Sequence, residues 1–283
     1  MKRFEYFEPS SLPEAVALLA RYEGRAQALA GGTDLLVELK EALRRAECVV
    51  NIKKIPGIDR LSFDASDGLH IGALVTARQI EISPVILEKY VSLAQAAREL
   101  GSIQVRNRAT IIGNVCRASP SADTLPPLIA DGAQVTIHGA DGHRTVPLEE
   151  FFTGPGKTVL RHDELVTAIR VPAPPPRTGK VYLKHGRRKA MELATVGVAV
   201  TLTEDADLKI VLGAVAPTPI RALQAEALLR GRKIDAARIE RAAQAAVQES
   251  QPISNVRASA EYRREMVLVL TRRALQRALE AIA

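Results

Sequence analysis

The opening of the chain switches repeatedly between strand-like and helix-like spacing of its apolar residues. Phe4-Glu5-Tyr6-Phe7 reads as a short strand, closed by Pro9-Ser10-Ser11. Ser11 is placed to cap a helix with Pro13 and Glu14 in its first turn and an apolar face at Val16, Leu19 and Ala20. Gly24 stops that helix. Ala26 to Ala30 is an apolar run that predicts a strand, and Gly31-Gly32-Thr33-Asp34 breaks it. Leu35, Leu36, Leu39, Ala42 and Leu43 then recur at the spacing of one helical face. Cys48 to Ile52 reads as a buried strand, so residues 1–55 predict a β-α-β-α-β unit.

Beyond Pro56-Gly57 the pattern becomes that of hairpins. Ile58 to Phe63 and Leu69 to Ala73 flank the turn Asp64 to Gly68, and Val135 to His138 and Arg144 to Leu148 flank a second turn. Between them, Thr76 caps a short helix, and one longer helix is expected over Val85 to Leu100, ending at Gly101. Ser102 to Pro120 is polar and glycine-containing, neither clean helix nor clean strand. Phe151 to Lys157 reads as a loop and Leu165 to Val171 as a strand. Pro172-Ala173-Pro174-Pro175-Pro176 favours an extended linker. After it, Lys180 to Lys184, Val196 to Thr203 and Leu208 to Val215 predict a three-stranded antiparallel sheet. The chain from Ala222 onward predicts helices, interrupted at Pro252 to Asn255.

Composition narrows the function classes. At 283 residues and 47% hydrophobic, the chain suits two domains or one with an appendage. The net charge of +7 is compatible with nucleic acid, but the basic residues are interspersed with 32 acidic ones. Aromatics are 4% and tryptophan is absent, so stacking platforms are scarce and no nucleic-acid partner is expected. A basic chain serves equally to bind an anionic cofactor or to dock on acidic subunits. No apolar run reaches the roughly 18 residues of a membrane span. The opening residues lack the apolar stretch of a secretory signal. Cys48 and Cys116 form no CxxC pattern, and a cytoplasmic location with free thiols is expected. His70, His138, His143, His162 and His185 lie apart without metal-ligand spacing, so no metal is expected. Glu149-Glu150, Asp163-Glu164 and Arg187-Arg188-Lys189 read as solvated charges.

Two segments carry possible chemistry. In Leu29-Ala30-Gly31-Gly32-Thr33-Asp34-Leu35-Leu36, two glycines stand between a strand and a helix. Such a turn lets a ligand approach the backbone, and its successive N–H groups with the helix N-terminus favour an anion such as a pyrophosphate. It is neither the GxGxxG fingerprint nor a Walker loop, and by itself a tight turn capped by Thr33 or Asp34 is the more economical reading. In Thr110-Ile111-Ile112-Gly113-Asn114, a hydroxyl, a bare backbone and an amide are again close. Asp123 follows, either as a carboxylate for ribose hydroxyls or as a helix cap before Pro126.

Together these segments resemble the paired FAD-binding signatures of the molybdenum hydroxylase flavoproteins, the family of the xanthine dehydrogenase FAD domain and the carbon monoxide dehydrogenase medium subunit. That family carries an AGGT- or AGGH-like loop, a TIGGN-like loop and an ASPxxD-like run. Here they read Ala30 to Thr33, Thr110 to Asn114 and Ala118 to Asp123. The departure is Ile112, where the family usually has the first glycine of its pair. The resemblance spans essentially the whole chain and implies an α+β fold in three parts. Residues 1–55 and 56–175 would form a two-part FAD-binding domain of the vanillyl-alcohol oxidase-like type. Residues 176–283 would form a three-stranded antiparallel sheet with helices. The implied FAD contacts are Leu29 to Leu36, Thr110 to Asn114, Asp123, Val166 and Lys184; no residue need be an acid or base. The implied role is electron transfer from an iron–sulfur subunit to an external acceptor (NAD, oxygen or quinone). The implied partners are a large molybdenum-cofactor subunit and a small 2Fe-2S subunit, as a dimer of heterotrimers. A stand-alone FAD-dependent oxidase of related fold and a flavin-free assembly module are the rival readings.

Overall fold

A computed structural model describes residues 2–282; Met1 and Ala283, the outer ends of the first and third expected parts, lie outside it. The first part contains β1 (Glu5–Phe7), α1 (Leu12–Arg21), β2 (Ala26–Leu29), α2 (Leu35–Lys40) and β3 (Cys48–Asn51). Its three strands are parallel in the order β1-β3-β2. Central β3 is buried along its whole length, which explains its unbroken apolar run. Ser11 caps α1 by accepting from the Glu14 N–H, as its position predicts.

The second part holds β4 (Leu61–Asp64), β5 (Gly68–Gly72), α3 (Ala77–Ile82), α4 (Pro84–Lys89), α5 (Val91–Glu99), α6 (Ile103–Arg106), α7 (Ile111–Arg117) and α8 (Leu125–Ala130). It continues with β6 (Gln134–Gly139), β7 (Gly142–Pro147), β8 (Phe152–Gly154), β9 (Lys157–Thr158) and β10 (Leu165–Val171). Five strands make an antiparallel sheet, β4-β5-β10-β6-β7. The strand nearest the linker is thus the centre of the sheet, with a bulge between Val166 and Ala168. β8 and β9 form a separate two-stranded ribbon where a loop was expected.

The third part has β11 (Gly179–His185), β12 (Val196–Leu202), β13 (Leu208–Gly213), β14 (Ile220–Arg221), α9 (Leu223–Leu229), α10 (Ala236–Glu249) and α11 (Ala260–Glu280). The antiparallel sheet has four strands, β11-β12-β13-β14, not the expected three. β14 is two residues long and follows Pro217-Thr218-Pro219, which disguises it. The helices pack on this sheet around their own core of Val198, Ile210, Ala242 and Leu275. The larger core joins the first two parts and reaches Tyr182, Ala199 and Val211 of the third.

Three helix expectations need correction. Val85 to Leu100 is two helices, broken at Tyr90, whose φ of −131° is not helical. Tyr90 is fully buried and its hydroxyl donates to the Pro172 carbonyl at 2.9 Å, so tertiary packing overrides helix continuation. α2 ends at Lys40 with Ala42 in the left-handed region; only Leu39 of its apolar residues is buried, whereas Leu36 and Leu43 are exposed. The polar Ser102–Pro120 segment contains two short helices, α6 and α7.

Candidate cofactor site

The two glycine segments meet. Gly31 packs its α-carbon against the backbone of Arg108 and Ala109; a β-carbon there would lie 2.2 Å from the Arg108 carbonyl oxygen. Gly32 adopts φ +77°, a region costly to any other residue. Among the described residues, the N–H groups of Gly31, Gly32, Thr33, Asp34 and Leu35 donate no hydrogen bond within the protein. Asp34 begins α2 without a side-chain cap bond. A row of free donors at a glycine turn leading into a helix is the arrangement an anion satisfies.

The second segment is fixed by capping. Thr110 is the N-cap of α7, its Oγ1 accepting from the Gly113 N–H at 3.0 Å. The Ala77 N–H donates to the Ala109 carbonyl at 2.8 Å, and the Ile111 N–H to Val75 at 3.1 Å. The Thr124 hydroxyl donates to Asn114 Oδ1 at 2.6 Å, fixing that side chain, whose amide nitrogen has no acceptor among the described residues. Ile112 is part of the core and also reaches the cavity wall, so the departure from a glycine pair is absorbed by apolar packing.

Between the segments lies a cavity of about 640 Å³, within the range of small-molecule and cofactor sites. Leu29 to Leu35, Thr110, Ile112, Gly113, Asn114, Asp123 and Val166 line it. Leu36, Ile111 and Lys184 do not. Leu36 is exposed on α2, and Ile111 points wholly into the core. Lys184 donates to Asp123 Oδ2 at 3.0 Å, the Glu99 carbonyl at 3.0 Å and the Glu192 carbonyl at 2.7 Å. An ammonium has three N–H donors, so none remains for a direct cofactor contact. These three expected contact residues therefore stand off the cavity wall.

Asp123 is buried, and Oδ1 accepts from the Tyr182 hydroxyl at 2.8 Å. Burial pushes its carboxyl up to about 6, opposed by Lys184 and Tyr182. The same burial, with Asp123 beside it, pushes the Tyr182 phenol well above its ordinary range. Cys116 also lines the cavity, and burial pushes its thiol up to about 12.

Several wall residues carry no local sequence signal. Glu38 is held by Arg44 Nε at 2.7 Å and Arg117 at 2.8 Å, which ties α2 to α7. Leu100, Leu160, Met191 and Leu193 supply aliphatic surface. Glu164, expected to be solvated, is buried at the wall and accepts from Arg144 Nε at 3.0 Å, with Arg161 nearby. His138 and His143, far from metal-ligand spacing, stack across the β6–β7 hairpin with ring centres 5.6 Å apart. Arg188, by contrast, is exposed as expected and bonds Glu192 at 2.9 Å.

Among the described residues, no group of three metal-ligating side chains is found. The cavity's chemistry is that of binding: free N–H groups at one loop, an amide and a buried carboxylate at the other, and aliphatic walls.

Comparison with known proteins points to one family. Residues 2–174 match the FAD binding domain in molybdopterin dehydrogenase, and residues 181–278 match the CO dehydrogenase flavoprotein C-terminal domain. The chain is 35% identical to the carbon monoxide dehydrogenase medium chain of Hydrogenophaga pseudoflava, covering 98% of this chain and 97% of that one. It is 32% identical to the putative xanthine dehydrogenase FAD-binding subunit of Escherichia coli (strain K12), covering 98% and 96%. The solved carbon monoxide dehydrogenase from Hydrogenophaga pseudoflava, which lacks the Mo-pyranopterin moiety of its cofactor, superposes with a TM-score of 0.95 at 35% identity, covering 100% of this chain and 99% of that one. The mixed α/β fold, the paired loops and these matches along nearly the whole chain converge: the protein belongs to the family of FAD-binding flavoproteins of the molybdopterin dehydrogenases.

Proposed function

We propose that this chain is the FAD-binding electron-transfer subunit of a molybdenum hydroxylase complex. It takes electrons from an iron–sulfur subunit and passes them to NAD, oxygen or a quinone. The observation that carries this reading is the cavity bounded by the two glycine segments, with five unpaired backbone donors on one wall. Bound FAD would supply the exchange between one-electron arrival and two-electron departure. The chain's own residues bind and orient it. The N–H groups of Gly31 to Leu35 hold the pyrophosphate; Thr110 and Gly113 shape the opposite loop, and Asn114 offers its amide. Asp123 accepts from ribityl or ribose hydroxyls, and Leu29, Ala30, Ile112 and Val166 pack on the apolar parts. Lys184 acts through Asp123.

The parts are assigned as 1–55 and 56–175, a two-part FAD-binding domain of the vanillyl-alcohol oxidase-like type, and 176–283, a C-terminal domain. The partners are a large molybdenum-cofactor subunit and a small 2Fe-2S subunit, assembled as a dimer of heterotrimers in the cytoplasm. None of the helices among the described residues is long and apolar enough to cross a membrane. Native co-purification tests the reading: the partner chains should be recovered together with the visible absorbance of a flavin. A native complex containing this chain but no flavin would overturn it, and turnover of a substrate by the isolated chain would favour a stand-alone oxidase.

A further inference from the structure

We propose that Tyr182 is a positioning residue for Asp123, so that a strand of the C-terminal part controls how tightly the cofactor's hydroxyl-bearing chain is held. The inference rests on the reading of Asp123 as the carboxylate that accepts from those hydroxyls. Asp123 lies before α8 in the second part, whereas Tyr182 and Lys184 stand on β11 of the third. Each carboxylate oxygen takes one protein donor, Oδ1 from the Tyr182 hydroxyl at 2.8 Å and Oδ2 from Lys184 Nζ at 3.0 Å. The two donors fix the rotation of the carboxylate, and each oxygen keeps a lone pair for a ligand.

Tyr182 is itself held with little freedom. Its N–H donates to Gln95 Oε1 at 2.9 Å, which ties β11 to α5. Its hydroxyl occupies space left by Gly197 on β12, where a β-carbon would lie 2.9 Å from the phenol oxygen. The phenol is buried and has no other acceptor among the described residues. Without it, Oδ1 would keep unsatisfied lone pairs in a buried site, and the carboxylate would be free to swing toward Lys184.

The hydroxyl also affects protonation. The charged and titratable groups facing Asp123 are Lys184 and Tyr182 from β11 and Glu99 from α5. Burial and Glu99 favour the protonated carboxyl; Lys184 and Tyr182 favour the carboxylate. Removing the Tyr182 hydroxyl removes one group that favours the carboxylate, so protonation moves to higher pH. A protonated carboxyl has spent one acceptor site and holds a polyol less well.

The test uses the native complex and its FAD dissociation constant, followed from about pH 8 to about pH 5.5 by fluorescence of released flavin. Tyr182→Phe should weaken retention about tenfold at neutral pH, the loss of one hydrogen bond to a charged group. Its acid loss of FAD should begin at higher pH than in the unaltered complex. Asp123→Asn should weaken retention at every pH and flatten the profile. Gly197→Ala crowds the hydroxyl while retaining it and should shift the profile in the same direction as Tyr182→Phe. If Asp123→Asn weakens retention while Tyr182→Phe and Gly197→Ala both keep the unaltered affinity and pH profile, the role of Tyr182 is overturned. If Asp123→Asn itself leaves retention unchanged, the reading of Asp123 fails, and the proposal fails with it.

Discussion

Gly31 and Arg108 touch backbone to backbone: a β-carbon on Gly31 would come within 2.2 Å of the Arg108 carbonyl oxygen. The cavity owes its shape to that contact, because it brings together a loop of the first part and a loop of the second. The neighbouring atoms are main chain, held by the Ala77 bond to Ala109, and cannot step aside as a flexible side chain would. Gly31→Ala should therefore destabilise the chain by about 1–3 kcal/mol and release FAD. Unfolding midpoints together with flavin absorbance of the purified complex check this; an alanine variant with full flavin occupancy would contradict the packing argument.

Gly32 separates backbone strain from site damage. Both Gly32 and Gly142 have positive φ, +77° and +114°. A β-carbon at Gly32 would meet Leu29 at 2.9 Å, whereas one at Gly142 meets nothing within 4 Å. Alanine at each should cost about 1 kcal/mol of backbone strain, but only Gly32→Ala should lower FAD occupancy, and a bulkier residue there should abolish it. Equal flavin content in the two variants would mean that the turn at Gly32 is only structural.

Thr110 holds the second loop through its bond to the Gly113 N–H. Thr110→Val removes the cap while nearly conserving volume and should cost about 1 kcal/mol. Thr110→Ser should retain both stability and flavin. Chemical denaturation of all three proteins distinguishes the hydroxyl's contribution from that of shape.

The acid limb of stability should depend on Glu164. Its hydrogen bond from Arg144, with the Arg161 N–H and nearby guanidinium charges, holds its carboxyl below the ordinary value of 4.5. A depressed folded value means the contribution is present above the unfolded value and is lost as pH falls through the folded one. Arg144→Met should lower stability by about 1–2 kcal/mol near neutral pH, since Arg144 is partly open to water. It should also flatten the decline below about pH 4.5. Urea titrations at a series of pH values provide the measurement; an unchanged acid limb would remove Glu164 from this role.

Cys116 should be unreactive in spite of its place on the cavity wall. With its thiol pushed up to about 12, almost no thiolate exists at neutral pH. Cys48 is buried and its thiol is also raised. Iodoacetamide should label both in denaturant and neither in the folded protein, read by intact mass. Rapid labelling of Cys116 in the folded chain would contradict the raised thiol.

Periodicity revealed most of the framework. The buried β3, the Ser11 cap and the two hairpins follow from local patterns whose physical cause lies within a few residues. The failures occur where distant contacts decide. Tyr90 breaks a helix in order to reach Pro172, and β14 exists because β13 offers it an edge after two prolines. At the site, the glycine loops were legible because glycine marks unusual backbone. Glu38, Arg44 and Arg117 were not, since an ion pair between α2 and α7 leaves no local trace. For Lys184, sequence indicates a cation in this strand but not that three oxygens already use its donors.

The position of β10 has a consequence for synthesis. This strand pairs Ala168–Val171 with Leu69–Gly72 on one side and Leu165–Arg170 with Gln134–His138 on the other. On a ribosome, the five-stranded sheet cannot close until its middle member has emerged, and the strands made earlier wait with open edges. Asp123 waits longer still, for Tyr182 and Lys184. The carboxylate thus meets its two donors only after nearly two thirds of the chain has been made, and the half-made protein exposes unpaired strand edges to chaperones in the interval.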